Sequence, residues 1–351
     1  MMQTSIYDAS LQGLETFFEG LHQPAYRASQ LWQALYQQLV SSPEEITTLP
    51  KPLRQAIAEQ FSFNPLRVER TLSSRDGFTE KSLFLLADDK AIETVWMRYE
   101  HRNTLCVSTQ VGCAMGCTFC ATGQMGFQRN LSAGEIIGQV LFYAAKLRRV
   151  GAQLTNVVFM GMGEPFHNYV QTMAAIDRLN DPQGFAFGER RFTISTVGLV
   201  PKIRQFTAEK RQVNLAVSLH SVDDELRTQL IPMGKRYPVA EILDACRDYC
   251  DTTHRRITFE WALIRDVNDG PAQARELAQR LRGMLCHVNL IPLNPTAGYA
   301  QGGSDAERAR AFRNELELHG IPATLRIPRG IDIGAGCGQL ATQRALETSM
   351  L

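Results

Sequence analysis

Three cysteines lie close together in the first half of the chain, at Cys113, Cys117 and Cys120. Their CxxxCxxC spacing offers three thiolates within eight residues, which suits an iron-sulfur cluster bound through three irons, with the fourth iron left open. A zinc knuckle is the alternative, but structural zinc normally takes four protein ligands and would have to recruit Cys106 or a distant residue. The spacing therefore favours a cluster whose open iron can do chemistry.

The same run resembles the signature of the radical S-adenosylmethionine (SAM) superfamily, including the aromatic Phe119 just before the last cysteine. The resemblance implies that the open iron chelates the amino and carboxylate groups of SAM. It also implies that an electron from the cluster breaks the sulfonium bond, which would produce a 5′-deoxyadenosyl radical.

Five further cysteines lie outside that run. Cys337 is flanked by glycines, which predicts a mobile and accessible thiol. Cys106 lies on a predicted strand that leads to the cysteine run, so it could be a fourth metal ligand, a packed small residue or a second redox thiol. Cys246, Cys250 and Cys286 are expected to pack in the core.

The composition is that of an ordinary globular protein. The chain has 351 residues, of which 44% are hydrophobic and 21% charged, so about two domains are expected. Neither a signal peptide nor an apolar stretch long enough to span a bilayer is recognisable, and we predict a cytoplasmic protein. In that reducing compartment, cysteines are expected as metal ligands, catalytic thiols and core residues rather than as a disulfide framework.

Charge is distributed unevenly along the chain. The net charge is +1, but residues 1–100 carry 9 basic against 13 acidic side chains, so the remainder is basic. Basic pairs occur there at Arg148-Arg149, Arg190-Arg191, Lys210-Arg211, Lys235-Arg236 and Arg255-Arg256. Such pairs can follow nucleic-acid phosphates, although solvated helix ends carry them too, so alone they favour a nucleic-acid partner only slightly.

The periodicity of apolar residues divides the chain into three parts. Residues 1–65 show helical spacing, which predicts a small helical domain, and residues 66–100 alternate as a β-hairpin linker. Strands and helices alternate over residues 101–345, where a capping box at 132–135 opens one helix. The predicted strands are 104–109, 156–160, 192–195, 213–218, 257–264, 287–291 and 323–327. Residues 301–304 are the one stretch with linker-like flexibility.

Repeated βα units imply a parallel sheet, either open or closed into a barrel. The cysteine run and each of the other polar clusters follow a predicted strand, and barrels place their active sites at the carboxyl ends of strands. This pattern agrees with the six-stranded partial barrel that radical SAM enzymes share. We therefore predict an α/β fold, a partial (βα)6 radical SAM barrel with a small N-terminal helical domain and a β-hairpin linker.

Several of these strand-end residues are candidates for binding SAM. Gly163 would let the backbone approach a ligand closely, and Glu164 offers an acceptor for an ammonium group. The segment resembles the superfamily's glycine-rich motif that binds the methionine amino group, although a glycine-bearing turn can also simply end a strand. The other strand-end candidates, each of which could be an ordinary turn or cap residue, are Ser195, Ser218, His220 and Asn294.

Longer motifs make the resemblance specific. They occupy 104–113, 117–127, 161–165, 218–220, 289–295 and 337–340, with shorter matches at 26–28, 30–31 and 93–95. Together they closely resemble the RlmN/Cfr family of radical SAM adenosine methyltransferases, which act on ribosomal RNA. The likeness covers nearly the whole chain.

The resemblance implies a mechanism that consumes two SAM molecules, because the amidine carbon of adenine is electrophilic and cannot attack a sulfonium methyl group. A first SAM would methylate Cys337, and the radical derived from a second would take hydrogen from that S-methyl group. The methylene radical would then add to the adenine ring and give a covalent protein-RNA intermediate. Cys106 would help to release the product, ending in a disulfide with Cys337, and Glu93 would accept the proton.

The same matching assigns the cofactor sites. One [4Fe-4S] cluster would be bound by Cys113, Cys117 and Cys120, which keeps Cys106 out of the ligand set. SAM would be bound by Gly163, Glu164, Ser195, Ser218, Leu219, His220 and Asn294. The helical domain would bind RNA, an external donor such as flavodoxin or ferredoxin would supply electrons, and the protein is expected to be a monomer with no membrane partner.

The position that is methylated separates the two branches of the family. Residues 124–127 and Pro165 look like the branch that methylates C2, so the expected targets are adenine 2503 of 23S rRNA and adenine 37 of some tRNAs. Gly334 and Gly336 replace an acid and an alanine that the family commonly has, which predicts a more flexible Cys337 loop. Methylation of C8 of the same rRNA adenine, a radical SAM enzyme with another substrate, and a zinc-stabilised RNA-binding protein are the alternatives.

Overall fold

The computed structural model describes residues 3–342. Within these residues no helix is long and apolar enough to cross a membrane. The amino-terminal part contains helices α1 (Leu11–Gly20), α2 (Tyr26–Gln33) and α3 (Lys51–Gln60), and its short strands β1 (Thr4–Ser5) and β2 (Phe61–Ser62) pair in parallel. The apolar faces of these helices share one continuous core with the rest of the chain.

Twelve further strands follow in the described residues, and ten of them form one sheet. They are β3 (Arg67–Ser73), β4 (Thr79–Leu85), β5 (Ala91–Arg98), β6 (Asn103–Cys106), β7 (Gln110–Gly112), β8 (Phe127–Asn130), β9 (Asn156–Phe159), β10 (Phe192–Thr196), β11 (Asn214–Ser218), β12 (Ile257–Leu263), β13 (Cys286–Pro292) and β14 (Ala323–Leu325). The order across the sheet is β14-β13-β12-β11-β10-β9-β6-β5-β4-β3.

Strands β6 and β9 to β14 are parallel, whereas β3 to β6 pair antiparallel with their neighbours. Helices lie between the parallel strands: α4 (Ala121–Gln124), α5 (Ala133–Arg148), α6 (Tyr169–Asn180), α7 (Val200–Ala208), α8 (Asp224–Leu230), α9 (Val239–Thr253), α10 (Pro271–Leu281) and α11 (Ala306–Leu318). The predicted α/β class, with a partial (βα)6 barrel and a hairpin before it, is confirmed.

The chain after β14 spans the opening of the partial barrel. It leaves β14 beside β13, where the Arg326 amide donates to the Leu290 carbonyl over 2.8 Å. It then reaches β4 and β5, where Lys81 donates to the Gly334 carbonyl and Glu93 accepts from the Ala341 amide. A segment that touches strands near both ends of the sheet requires the sheet to curve.

Two features differ from the sequence-based prediction. The hairpin gains a third strand, β3, whose residues are almost all exposed, so it carries no apolar alternation by which to recognise it. The stretch 301–304 is not a flexible linker, since Gly303 forms a β-bridge with Ile264 and the buried Ser304 hydroxyl donates to Asp269 over 2.5 Å. A Cβ at Gly303 would lie 2.4 Å from the Leu293 carbonyl oxygen, so this glycine is needed for close packing.

The amino-terminal part is anchored on the first turn of α5. Ser132 and Glu135 form the predicted capping box there, and the Asp8 carboxylate accepts from the Gly134 amide at 2.6 Å and from the Ser132 hydroxyl at 3.0 Å. Arg178 donates to the carbonyl groups of Tyr7 and Asp8. An acid from outside the helix thus accepts from one of the first-turn amides, which have no partner within the helix.

Replacing Asp8 is expected to loosen this anchor. Asp8→Ala should lower the free energy of unfolding by about 1 kcal/mol, the usual cost of losing a helix-capping side chain. Urea denaturation measures the change, and the exposed Glu19 of α1 provides the control through Glu19→Ala, which should be near neutral. Equal stability of the Asp8 variant and the unchanged protein would contradict this description of the anchor.

Candidate active site

The three cysteines of the CxxxCxxC run lie on a compact loop between β7 and α4. The β7–β8 hairpin closes the loop, and the Cys113 amide donates to the Gly126 carbonyl over 3.0 Å. Gly112 has φ +70°, and a Cβ there would lie 1.8 Å from the Gly126 oxygen, so only glycine fits. The Thr118 amide donates to the Leu230 carbonyl over 3.0 Å and ties the loop to the end of α8.

The loop provides a donor set that suits an iron-sulfur cluster. All three cysteines are partly buried beside the buried side chains of Met115 and Phe119. Burial raises the pKa of Cys113 to about 12, and burial together with the neighbouring Cys120 and Cys113 thiols raises the pKa of Cys117 well above its usual value. Without a cluster these two thiols are therefore protonated at neutral pH.

The chemistry of the donor set fits a cluster. Three cysteine thiols lie on one short loop, and in an iron-sulfur cluster each thiolate binds a different iron. Cys113, Cys117 and Cys120 would hold the cluster.

Arg227 lies behind this loop and was not recognised in the sequence. Its side chain is buried, with 1% of the residue exposed, and it donates to the carbonyls of Leu219, Val197 and Ser218. Burial lowers the pKa of Arg227 to about 10, against the opposing effect of the nearby Cys117 thiol. It thus fixes the ends of β10 and β11, and nothing in its surrounding sequence distinguishes it from an exposed helix arginine.

The Gly163–Glu164 pair follows β9, as predicted, and packs tightly. Gly163 has φ +102°, and a Cβ there would meet Gln110 at 2.5 Å. The Glu164 carboxylate accepts from the amides of Phe166 at 2.9 Å and Val197 at 2.8 Å, and burial raises its pKa to about 7 despite these donors. A carboxylate has about four acceptor positions, so an ammonium group can still be accepted.

The other strand-end candidates line the ends of β10, β11 and β12. The hydroxyls of Ser195 and Ser218 lie 3.4 Å apart. His220 accepts from the Ala262 amide at Nδ1 over 2.9 Å, and burial lowers its pKa to about 3. The imidazole is therefore neutral, with its proton on Nε2, and it packs edge-on against Phe119 at 5.1 Å between ring centroids. The Leu219 side chain is fully buried.

Asn294 joins the cofactor side of the site to the Cys337 loop, defined as residues 334–341. Its side-chain amide donates to the Cys337 carbonyl over 3.1 Å. A Cβ at Gly336 would lie 2.6 Å from Asn294 Nδ2, so that glycine permits close packing rather than motion. The Cys337 loop also contacts α4, directly after the loop that carries the three cysteines (residues 113–120, called the cluster loop). The Ala121 amide donates to the Gly338 carbonyl over 2.8 Å, and the Thr122 hydroxyl donates to the Leu340 carbonyl over 2.6 Å.

The backbone that carries Cys337 is held in place by its contacts, although the flanking glycines predict a mobile segment. Cys337 is exposed to solvent. The protein that surrounds it on the remaining sides raises the pKa of its thiol, and the Glu260 carboxyl adds to this increase. Cys106 is buried and accepts a hydrogen bond from the Met160 amide; burial raises its pKa, and the Cys337 thiol adds to the increase. The Cys337 thiol therefore acts electrostatically on the Cys106 thiol.

Glu93 lies on β5, where it faces the Cys337 loop. Its side chain is 4% exposed, pairs with Lys81 over 2.9 Å and accepts from the Ala341 amide over 3.0 Å. Burial raises the pKa of Glu93, and Lys81 opposes that increase. The structure thus brings Glu93, Cys106, Cys337 and the cluster loop to one side of the barrel.

Two polar residues of the barrel interior are also absent from the sequence-based set. Glu260 on β12 is buried and accepts from the Asn289 side-chain amide over 2.9 Å, and burial raises its pKa. Lys81 on β4 is buried beside Glu93. A charged residue in the mainly apolar strand β12 was the available sign for Glu260. Strand β4 also contains Thr79, Glu80 and Ser82, so its sequence offered no such sign for Lys81.

Comparisons with known proteins agree with this architecture. Residues 107–278 match the radical SAM superfamily, and residues 4–62 match the N-terminal domain of ribosomal RNA large subunit methyltransferases. A crystal structure of a radical SAM methyltransferase from Sphaerobacter thermophilus superimposes with a TM-score of 0.94 at 50% identity, covering 97% of this chain and 99% of that one. The fold and the site thus define a radical SAM enzyme.

Relatives that match over nearly the full length of the chain identify the family within the radical SAM superfamily. The chain is 48% identical over 351 residues to the dual-specificity RNA methyltransferase RlmN 1 of Myxococcus xanthus, covering 98% of both proteins. It is 46% identical over 357 residues to a probable RlmN of Chloroflexus aurantiacus, covering 99% of this chain and 95% of that protein. The chain belongs to the RlmN family. It is a SAM-dependent RNA methyltransferase that uses a [4Fe-4S] cluster and two SAM molecules per turnover.

The cluster assignment can be tested with one cysteine variant and one control. Cys117→Ala removes one of three cluster thiols, so the protein reconstituted with iron and sulfide should lose the visible absorption of the cluster and most of its iron. Cys246→Ala, at a buried cysteine of α9, should keep both. An unchanged iron content and spectrum in the Cys117 variant would contradict the ligand assignment.

Proposed function

We propose that this enzyme methylates C2 of adenine 2503 in 23S rRNA and adenine 37 of some tRNAs, with Cys337 as the carrier of the methyl group. The observation that carries the proposal is the position of Cys337, an exposed residue whose loop is hydrogen-bonded to the segment directly after the three cysteines and whose thiol acts electrostatically on the buried Cys106. A methyl carrier has to reach a bound cofactor, an RNA base and a releasing group, and this position serves all three.

The chemistry of adenine explains why a carrier is needed. C2 is electrophilic, so it cannot displace a methyl group from a sulfonium, whereas a cysteine sulfur can accept one. When bound, the cluster and SAM supply a methyl group and a radical that abstracts hydrogen. Asn294 would hold the backbone that carries the thiol, through its hydrogen bond to the Cys337 carbonyl.

Release of the product would use Cys106 and Glu93, which lie on the hairpin side of the site. Cys106 is buried and has a raised pKa, which keeps it protonated and unreactive until the Cys337 sulfur is next to it. The Cys106 thiol would then lose its proton and attack the Cys337 sulfur. An S–S bond would form, the bond from the Cys337 sulfur to the carbon on the base would break, and that carbon would keep the electron pair and take up a proton to become the methyl group. Glu93 would be the proton acceptor, and its contact with the Ala341 amide keeps it at the loop.

The placement of the strand ends supports the proposed cofactor sites. Cys113, Cys117 and Cys120 would hold the cluster. Gly163, Glu164, Ser195, Ser218, Leu219, His220 and Asn294 would bind SAM, since they surround the barrel mouth next to the cluster loop. Glu164 would accept the ammonium group, and the neutral His220 would contact the ligand without adding charge.

RNA would be bound by the amino-terminal helices together with a surface beside the Cys337 loop. We retain the domain assignment as 1–65 for RNA binding, 66–100 for the linker and 101–345 for the barrel, of which 343–345 lie outside the described residues.

A surface of arginines on aromatic rings supports RNA contact: Arg98 and Arg329 lie over Phe78, and Arg329 and Arg102 lie over Tyr99. Such surfaces suit phosphates and unstacked bases. A cytoplasmic location, a monomeric state and a flavodoxin- or ferredoxin-type electron donor stay predictions.

The regiochemistry is tested by analysing nucleosides of the RNA product. Unmethylated 23S rRNA and tRNA are incubated anaerobically with reconstituted enzyme, SAM and a reductant, and are then digested for mass spectrometry. We expect 2-methyladenosine from both RNAs. Formation of 8-methyladenosine would overturn the proposed C2 position, and methylated rRNA with unmethylated tRNA would overturn the second substrate.

The carrier role predicts a separation of two activities. Cys337→Ala should bind the cluster and still cleave SAM to 5′-deoxyadenosine, but it should transfer no methyl group to RNA because no sulfur is available to accept one. Cys286→Ala, at a buried cysteine of β13, is the control and should retain both activities. Methyl transfer by the Cys337 variant at the rate of the unchanged enzyme would exclude the mechanism.

A further inference from the structure

We infer that Lys81 is a positioning residue, which together with Glu93 fastens the Cys337 loop to the hairpin at two points, one on each side of the thiol. Lys81 donates to the Gly334 carbonyl over 3.1 Å, three residues before Cys337. Glu93 accepts from the Ala341 amide over 3.0 Å, four residues after it. The ion pair of 2.9 Å between Lys81 and Glu93 connects the two points.

The sheet register places these groups on the face toward the loop. Lys81 pairs with Val95, and Val95 pairs with Cys106, so these side chains share one face of β4, β5 and β6. Glu93 lies two residues from Val95 on the same strand and therefore points to that face as well. The hairpin thus presents the two charged groups and the Cys106 thiol to the loop together.

Burial makes the ion pair a firm connection rather than a surface contact. The side chains of Lys81 and Glu93 are 9% and 4% exposed, so neither can exchange its partner for water without cost. Hydrogen bonds of charged groups are also stronger than those between neutral groups. The Cys337 loop also contacts α4 next to the cluster loop. On the side of the hairpin, Lys81 holds the part of the loop that precedes Cys337.

The inference rests on the proposed function only in its consequence for methyl transfer; the fastening itself is a property of the folded chain. Hydrogen exchange of residues 334–341 measures it without RNA or SAM. Lys81→Met should raise the exchange rate of this segment about tenfold, as expected for the loss of a hydrogen bond from a charged group. Lys146→Met is the matched control. Lys146 of α5 pairs over 2.5 Å with Glu80, which lies on β4 beside Lys81 but points to the opposite face of the sheet.

A second variant separates loosening of the loop from general destabilisation. Lys81→Met leaves Glu93 buried without its cation, whereas Lys81→Met combined with Glu93→Gln removes both charges and keeps an acceptor for Ala341. The double variant should show the same raised exchange in 334–341 with unchanged exchange in the strands of the barrel. Unchanged exchange of 334–341 in both Lys81 variants would overturn the inference.

Activity provides a readout that a purely structural role would not change. The charged groups that face Glu93 are Lys81 on β4 and Arg70 on β3, and both lower its pKa. Without Lys81 the pKa of Glu93 rises, so Glu93 becomes protonated at a higher pH. If methyl transfer needs the Glu93 carboxylate, activity should therefore be lost at a higher pH when the solution is acidified. The acid limb of the pH profile should therefore move upward in Lys81→Met and stay in place in Lys146→Met; an unmoved limb would contradict the coupling.

The failure of the proposed function would look different. If Cys337→Ala still methylates RNA while Lys81→Met raises exchange of the loop, the carrier role is wrong and the fastening is right. If Cys337→Ala loses methyl transfer while both Lys81 variants exchange normally, the carrier role is right and the positioning role of Lys81 is wrong.

Discussion

The site depends on one constraint, which is that the parallel strands of a partial barrel all end at the same edge of the sheet. The ends of β9, β10, β11 and β13 deliver Glu164, Ser195, Ser218 and Asn294 to that edge, and the cluster loop is packed against it through Thr118 and Leu230. The barrel is open, so the chain after β14 has to cross to β4 and β5, and it carries Cys337 across the mouth.

Burial sets the chemical state of the groups gathered there. The thiols of Cys113 and Cys117 have raised pKa values, so they must lose protons when a cluster binds, and binding should weaken as the pH falls. The buried cations are held by oxygen acceptors: Arg227 by three carbonyls and Lys81 by a carboxylate and a carbonyl. A buried charge without such partners would be costly, so these contacts also fix the strand ends and the loop that they join.

The local parts of this description could be predicted from the sequence. The spacing of Cys113, Cys117 and Cys120 is a short-range signal. The alternation of strands and helices predicted a parallel sheet, and the polar residues at the strand ends together with the radical SAM resemblance predicted the partial barrel. The role of Lys81 could not be predicted in this way, because its contact with Gly334 joins residues that are 253 positions apart. The glycines at 301–304 and around Cys337 led to a prediction of flexible segments. In the structure, neighbouring atoms leave no room for a side chain at Gly303 and Gly336, so these two glycines permit close packing instead.

The central claim is that Cys337 forms a covalent bond to the adenine during turnover and that Cys106 breaks it. The most direct measurement uses Cys106→Ala, incubated anaerobically with SAM, a reductant and an RNA substrate, followed by digestion and mass spectrometry of the peptide that contains Cys337. We expect adenosine attached to Cys337 through one additional carbon. An unmodified Cys337 peptide, with methylated RNA accumulating at the rate of the unchanged enzyme, would contradict it.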